Sequence, residues 1–466
     1  MFRGRVRHVH FVGVGGIGMS GLAEILRTLR FDVSGSDLKE GDTTRRLARF
    51  GVRIDIGHAA QNVMGSDVVV FSSAIDPTNP EIVRARNLGI PVISRAEMLA
   101  ELMRVKYGVA IAGSHGKTTT TSLVATVLSA AGFDPTVVVG GRMAALGTNA
   151  RLGEGDLLVA EADESDGSFL RLTPTIAVVT NIDPEHLDYY GTHERLKQAF
   201  LEFIEKVPFY GLAVLCLDHP DVQDLLPQIH RRHVTYGLSP QADYSARSIE
   251  FEGTSVRFSA FRRSEPLGQF NVRMPGVHNV LNTLAAIAVA DELAVPYDVV
   301  RHSLANFDGV ARRFTVTAVL DGVVFVDDYG HHPAEIRATL AAARSAYNGR
   351  VIVVFQPHRY TRTQSLFEEF TKAFNDCDQL VVVPVYPAGE QPIAGATGER
   401  LADAITVHGH HSVSFMRDFS ATATLLAPQL HSGDVVIALG AGDVNKVLKI
   451  IQNEIVNLGE NREGAK

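Results

Sequence analysis

Apolar positions along this chain fall in short unbroken runs of Val, Ile, Leu and Ala, each followed by a longer stretch with helical spacing. Such runs mark strands buried on both faces, and their alternation with helices predicts α/β architecture with mainly parallel sheets. The first strands are expected at residues 8–14, 67–71 and 91–94, with Gly, Pro and Asp punctuation between them. A new strand runs through Val109, Ala110, Ile111 and Ala112 into a helix over 122–131, closed by Gly132. Further strands follow at 156–160, 176–180 and 213–217, then an alternating, hairpin-like stretch over 244–273 and a long helix over 279–293. The last third repeats the rhythm with strands at 323–327, 351–355, 380–385 and 435–439, and the polar tail after Asn457 is expected to be mobile.

At 466 residues, with 45% hydrophobic and 21% charged, the chain has the length of about three domains and the composition of a globular protein with ample core. A net charge of -8 gives no general attraction to nucleic acid or to an anionic membrane. The basic start leads into a strand broken by glycines, so no signal peptide is expected, and no window is long and apolar enough for a membrane span. Cys216 and Cys377 are too few for a disulfide framework or a metal cluster. These readings predict a cytoplasmic address.

The chemistry gathers at strand ends. Gly113-Ser114-His115-Gly116-Lys117-Thr118-Thr119 follows an apolar strand and opens a helix. That build suits a triphosphate: backbone N–H groups face the anion, Lys117 reaches the terminal phosphates, and the Thr118 hydroxyl is placed to ligate Mg2+. A strict GxxxxGK[ST] pattern needs glycine where Ile111 stands, so the working pattern is GxxGKT. Four carboxylates, Glu161, Asp163, Glu164 and Asp166, leave the strand over 156–160, and such crowding suits a hard cation. His186 sits among acids after the next strand and offers itself to a second ion.

The first unit opens with Gly13-Val14-Gly15-Gly16-Ile17-Gly18, and Ser36-Asp37 ends its next strand. That pattern fits NAD and a UDP-sugar equally well, since it specifies only a pyrophosphate at a helix N-terminus and an acid near a ribose. Ser72 and Ser73, at another strand's end, add donors for a diphosphate. His278, Asn279 and Asn282 start the long helix and suit a nucleotide. Arg312 and Arg313 suit a phosphoryl group. In the last unit Asp327-Asp328-Tyr329-Gly330-His331-His332-Pro333 and Gln356-Pro357-His358-Arg359-Tyr360-Thr361-Arg362 each follow a strand, and Arg359 and Arg362 beside His358 suit a small carboxylate.

Taken together, these motifs resemble the Mur ligase family, ATP-dependent amide-forming enzymes of peptidoglycan precursor synthesis. The resemblance covers nearly the whole chain. It implies three domains: a Rossmann-like UDP-sugar domain over 1–106, a central P-loop ATPase over 107–312 and a Rossmann-like amino-acid domain over 313–466. It implies ATP and Mg2+, with UDP-N-acetylmuramate and L-alanine as partners, in a monomer or homodimer. Residue by residue, it makes Lys117 the β,γ-phosphate contact and Thr118, Glu161 and His186 the metal ligands, puts Asn279, Asn282 and Arg313 at nucleotide positions, and sets Arg313 and His331 among the catalytic residues. The UDP-sugar falls to Gly15, Gly16, Ile17, Gly18, Ser36, Asp37, Ser72 and Ser73, and the small carboxylate to His358, Arg359 and Arg362. Glu185 departs from the family's usual Asp before the His. Two alternatives stand beside this reading: a ligase attaching a preformed peptide to the same UDP-sugar, and an NAD-dependent oxidoreductase, which leaves the Gly-Lys-Thr loop without a purpose.

Overall fold

The structure, a computed structural model, describes residues 6–72, 75–139 and 150–463. Among the described residues three sheets carry the fold. The first is parallel, in the order β3-β2-β1-β4-β5, from β1 (His8–Val12), β2 (Asp32–Asp37), β3 (Arg53–Ile56), β4 (Val68–Phe71) and β5 (Val92–Ser94). The second has ten strands in the order β15-β14-β13-β12-β11-β10-β6-β9-β7-β8. These are β6 (Tyr107–Ala112), β7 (Thr136–Val138), β8 (Ala150–Arg151), β9 (Leu157–Glu161), β10 (Ile176–Val179), β11 (Leu212–Cys216), β12 (His233–Gly237), β13 (Tyr244–Glu252), β14 (Ser255–Arg262) and β15 (Glu265–Val272). The third runs β16-β17-β21-β18-β19-β20, from β16 (Thr315–Leu320), β17 (Val323–Asp328), β18 (Val351–Phe355), β19 (Gln379–Val382), β20 (Val413–Phe415) and β21 (Val435–Leu439). Its one antiparallel pair is β16 with β17.

The apolar runs became strands for the expected reason: Val109, Ala110, Ile111 and Ala112 of β6 are all fully buried, as are Leu158, Val159 and Ala160 of β9. Strand β1 stops two residues earlier than the apolar pattern suggests, because Gly13 turns the chain with φ +78. The helix after β6 starts five residues earlier than expected and spans Lys117–Ala130, since Gly116 at φ +83 forms its N-cap. Past Asn457 the chain does not fall free, because the helix Lys446–Glu463 carries it onward.

Two compact units divide the described chain. One holds the residues up to Ser248 with Phe258–Phe270 and Leu281–Val310; the other holds Ile249–Arg257, Asn271–Val280 and the chain from Ala311 onward. In the first unit one large apolar core runs from Val9 and Phe11 of the first sheet through Leu99, Leu102 and Met103 to Leu158 of the second and to Phe169 and Phe200 on helical segments beside it. In the other unit the third sheet is covered on both faces, by a cluster around Val353, Phe355 and Ile437 and one around Ile352, Val354 and Val436.

Candidate functional site

Parallel register decides where the polar groups meet. Ile111 of β6 pairs with Glu161 of β9, and Ala112 pairs with Val179 of β10, so three strands leave the sheet side by side. Loops at such carboxyl ends are where open parallel sheets bind ligands. Gly113, at φ +133, has no room for a side chain: a Cβ would lie 2.0 Å from Thr180 Oγ1. A Cβ on Gly116 would lie 2.6 Å from Asn282 Oδ1. The loop is tied down from β10. The His115 N–H donates to Asn181 Oδ1 (2.7 Å), Asn181 Nδ2 donates to His115 O (3.0 Å), and Thr180 Oγ1 donates to the same carbonyl (2.6 Å). Ser114 Oγ accepts from Asp183 N at 2.8 Å, and the Ser114 N–H reaches Asn181 O at 3.2 Å. With the amides of 114 and 115 committed inward, the donors left for a phosphate are those at the start of the helix.

Lys117 Nζ lies across this loop on Gly113 O (2.5 Å), Ser114 O (3.0 Å) and Glu164 Oε1 (2.9 Å). Burial works against the ammonium, but Glu164 and Glu161 outweigh it and hold its pKa above the ordinary lysine range. Burial in turn pushes Glu164 up to about 7, against the pull of Lys117. Thr118 Oγ1 stands 3.1 and 3.0 Å from the two Glu161 oxygens, a set of hard oxygen donors of the kind Mg2+ takes. His186, at φ +56, turns its Nε2 to 3.7 Å from Glu164 Oε1 and 3.6 Å from Glu185 Oε2. One ligand atom from each of Glu164, Glu185 and His186 lies within 4.8 Å of the others, so the departure at Glu185 leaves a carboxylate in this group. Asp183 joins His115 (3.0 Å) and His219 (3.4 Å); burial opposes its charge, and the two imidazoles hold it far below the carboxylate range. Asn282 accepts from Thr120 Oγ1 at 3.2 Å beside Gly116, and Thr119 is buried in the first helical turn.

In the first sheet the glycine turn is held by its acid: the Gly15 N–H donates to Asp37 Oδ2 at 2.8 Å. Gly16 caps the helix Ile17–Thr28, whose Gly18 lies against Arg95. Ser36 does not present its hydroxyl to a ligand. It is fully buried, donating to Glu81 Oε2 (2.6 Å) and meeting His58 Nδ1 (2.9 Å) in a network that also takes in His10. Burial raises and these bonds lower the Glu81 pKa, and the bonds prevail. Ser72 follows β4 at its exit; Ser73 lies outside the described residues.

In the second unit Asn279 is bonded through Nδ2 to Pro275 O at 2.7 Å. Arg313 donates to Glu335 Oε1 at 3.3 Å and lies over the Tyr329 ring at 5.3 Å. His331 Nδ1 meets Tyr329 O at 3.0 Å and Glu335 at 3.3 Å, and its ring centroid is 5.8 Å from that of His358. His358 stacks on Tyr386 at 5.5 Å; burial, then His331, Arg362 and Arg359, lowers its pKa to about 4. Arg359, at φ +68, donates its backbone N–H to Tyr386 O, and Arg362 lies in the following turn. The structure thus brings Arg313 and His331 together through Tyr329 and Glu335, and gathers His358, Arg359 and Arg362 at the end of β18. Sequence reasoning missed Asn181, Asp183 and Arg95 as positioning groups; for the first two the signal was polar residues at a strand's exit, and for Arg95 there was none.

A nucleotide cradle between central parallel strands, faced by carboxylates and followed by a separate α/β sheet, defines a class: the chain belongs to the Mur ligase family. Family models match over residues 8–107 (Mur ligase family, catalytic domain), 111–290 (Mur ligase middle domain) and 312–442 (Mur ligase, glutamate ligase domain). The chain is 70% identical over 468 residues, covering 100% of both, to the UDP-N-acetylmuramate–L-alanine ligase of Sorangium cellulosum. It is 60% identical to the enzyme of that name from Myxococcus xanthus, over 95% of this chain and 94% of the other. Among solved structures it is similar to the UDP-N-acetylmuramate-alanine ligase of Thermotoga maritima, with TM-score 0.80, 30% identity and 98% and 100% of the two chains covered. A murein peptide ligase from Psychrobacter arcticus shares the fold at TM-score 0.69 and 22% identity, over 96% and 98% of the chains.

Proposed function

We propose that this chain is an ATP-dependent ligase that joins L-alanine to the lactyl carboxylate of UDP-N-acetylmuramate, releasing ADP and phosphate, in peptidoglycan precursor synthesis in the cytoplasm. The observation that carries it is the Gly113–Thr118 loop with Glu161 and Glu164 facing it, within a chain whose relatives at 70% and 60% identity bear that name. A carboxylate oxygen attacks the γ-phosphorus; an O–P bond forms and the bond to ADP breaks. The alanine amine then attacks the acyl carbon, loses a proton, and the tetrahedral adduct expels phosphate. The first attack sets a carboxylate against a triphosphate and the second builds negative charge on the acyl oxygen, so the positive charge at the loop is what the reaction needs.

Lys117 exchanges the carbonyls of Gly113 and Ser114 for phosphate oxygens, and the helix-start amides donate beside it. Thr118 and Glu161 would hold one Mg2+, and His186 with Glu164 and Glu185 a second; bound there, Mg2+ offsets triphosphate charge. Arg313 and His331 serve the transferring group, and Arg359 and Arg362 take the carboxylate of the amino acid. A coupled phosphate-release assay with each substrate omitted in turn tests the reading. We expect release only with ATP, UDP-N-acetylmuramate and L-alanine together. Release driven by a tripeptide and not by L-alanine would reassign the third substrate, and release without the UDP-sugar would sink the proposal.

A further inference from the structure

Arg95 is the cation that stands between the two ligand cradles of the first unit. It is the first residue of the helix Arg95–Met103, and a capping box fixes its backbone: Ser94 Oγ accepts from Glu97 N at 3.2 Å, and Glu97 Oε2 accepts from Ser94 N at 2.7 Å. Its guanidinium lies on the glycine turn so closely that a Cβ on Gly18 would meet Nη1 at 2.4 Å and Cδ at 3.0 Å. One N–H goes to Asp163 Oδ2 at 3.3 Å, while Asp163 Oδ1 is pinned by the Ser165 N–H at 3.1 Å. The side chain keeps 31% of its surface exposed, and its other N–H donors meet no protein acceptor among the described residues. A guanidinium has five donors in a planar fork matched to a two-oxygen anion. Among the described residues Asp163 takes one of them, and the guanidinium itself lies where a side chain at position 18 would stand.

We propose that Arg95 binds an anionic group of the UDP-sugar, its diphosphate or its lactyl carboxylate, against Gly18 and under the hold of Asp163. This rests on the glycine turn being the seat of the UDP-sugar. Titration calorimetry with UDP, UDP-N-acetylglucosamine and UDP-N-acetylmuramate tests it, with a nonhydrolysable ATP analogue as the control ligand. Arg95→Ala is expected to weaken UDP-N-acetylmuramate about tenfold or more, the size of a lost charge-assisted hydrogen bond, and to leave the ATP analogue within about twofold. Arg95→Lys keeps the charge without the fork and is expected to fall between. Gly18→Ala displaces the guanidinium, so it should reproduce the Arg95→Ala loss and add nothing to it in the double variant. Equal losses for all three UDP ligands assign the diphosphate; a loss confined to UDP-N-acetylmuramate assigns the carboxylate. Unchanged binding in a folded Arg95→Ala protein, while Gly15→Ala weakens UDP, overturns the role of Arg95. UDP binding unmoved by either substitution overturns the seat itself.

Discussion

Lys117 in this structure already has three acceptors, so its task in the reaction is an exchange of partners rather than the filling of an empty position. Lys117→Ala should therefore abolish turnover while UDP-N-acetylmuramate still binds with an unchanged dissociation constant, measured by calorimetry; loss of both would make the residue structural. Gly113 answers to a different constraint. Gly113→Ala places a methyl within 2.0 Å of Thr180 Oγ1 at a left-handed φ. It should cost about 1–3 kcal/mol of stability by overpacking alone, read as a lower midpoint of chemical unfolding, and weaken the ATP analogue. His358 supplies a pH signature. Its folded pKa of about 4 lies below the ordinary 6.5, so between those values the unfolded chain binds a proton that the folded one does not. That share of stability is intact above about pH 6.5 and is lost as pH falls toward 4. His358→Gln should flatten the fall in urea midpoint between pH 7 and pH 5, and an unchanged slope would show that the imidazole charges freely in place.

At the scale of elements, the strand exits carry the site because their register was set by burial. β6 and β10 are apolar along their length and β9 is apolar up to Glu161, and once they pair in parallel their first polar residues converge. This is why the Gly-Lys-Thr loop, Glu161 and the neighbourhood of His186 were legible in the sequence: each follows a run whose burial the composition already declares. Ser36 shows the limit of the same logic: it too lies near a strand's end, yet its hydroxyl is taken by the buried Glu81, 45 positions further along the chain. Nothing local in the sequence signals that partner. Asn181 shows the remaining limit, since a side chain that brackets the N–H and C=O of His115 is recognisable only after folding. Asn181→Ala removes two bonds of about 1 kcal/mol each and should raise the KM for ATP with little change in that for UDP-N-acetylmuramate, checked by steady-state kinetics. Equal effects on both constants would mean that the loop does not depend on that bracket.

For the whole molecule, the two compact units give distinct expectations. An ATP analogue at 100 times its dissociation constant should stabilise the unit containing the phosphate loop by about 2.7 kcal/mol, seen by calorimetry as an upward shift of one transition with the other smaller or absent. The expectation of three segments rested on chain length and on the family resemblance, and three sheets are present among the described residues. What spacing could not convey is that the first two sheets share one core, since membership of one cluster by residues as far apart in the chain as Phe11 and Phe200 leaves no periodic trace.

That shared core has a practical side. Lys106, at the seam, donates to Gly153 O and Gly155 O, and Leu102 and Met103 sit in the same apolar cluster as Leu158. A chimera spliced after Lys106 would tear one oily layer in two and leave both fragments sticky. Retuning the sugar-nucleotide preference of such a protein is thus a matter of point changes on an intact chassis, and the leading segment is a poor cassette to transplant.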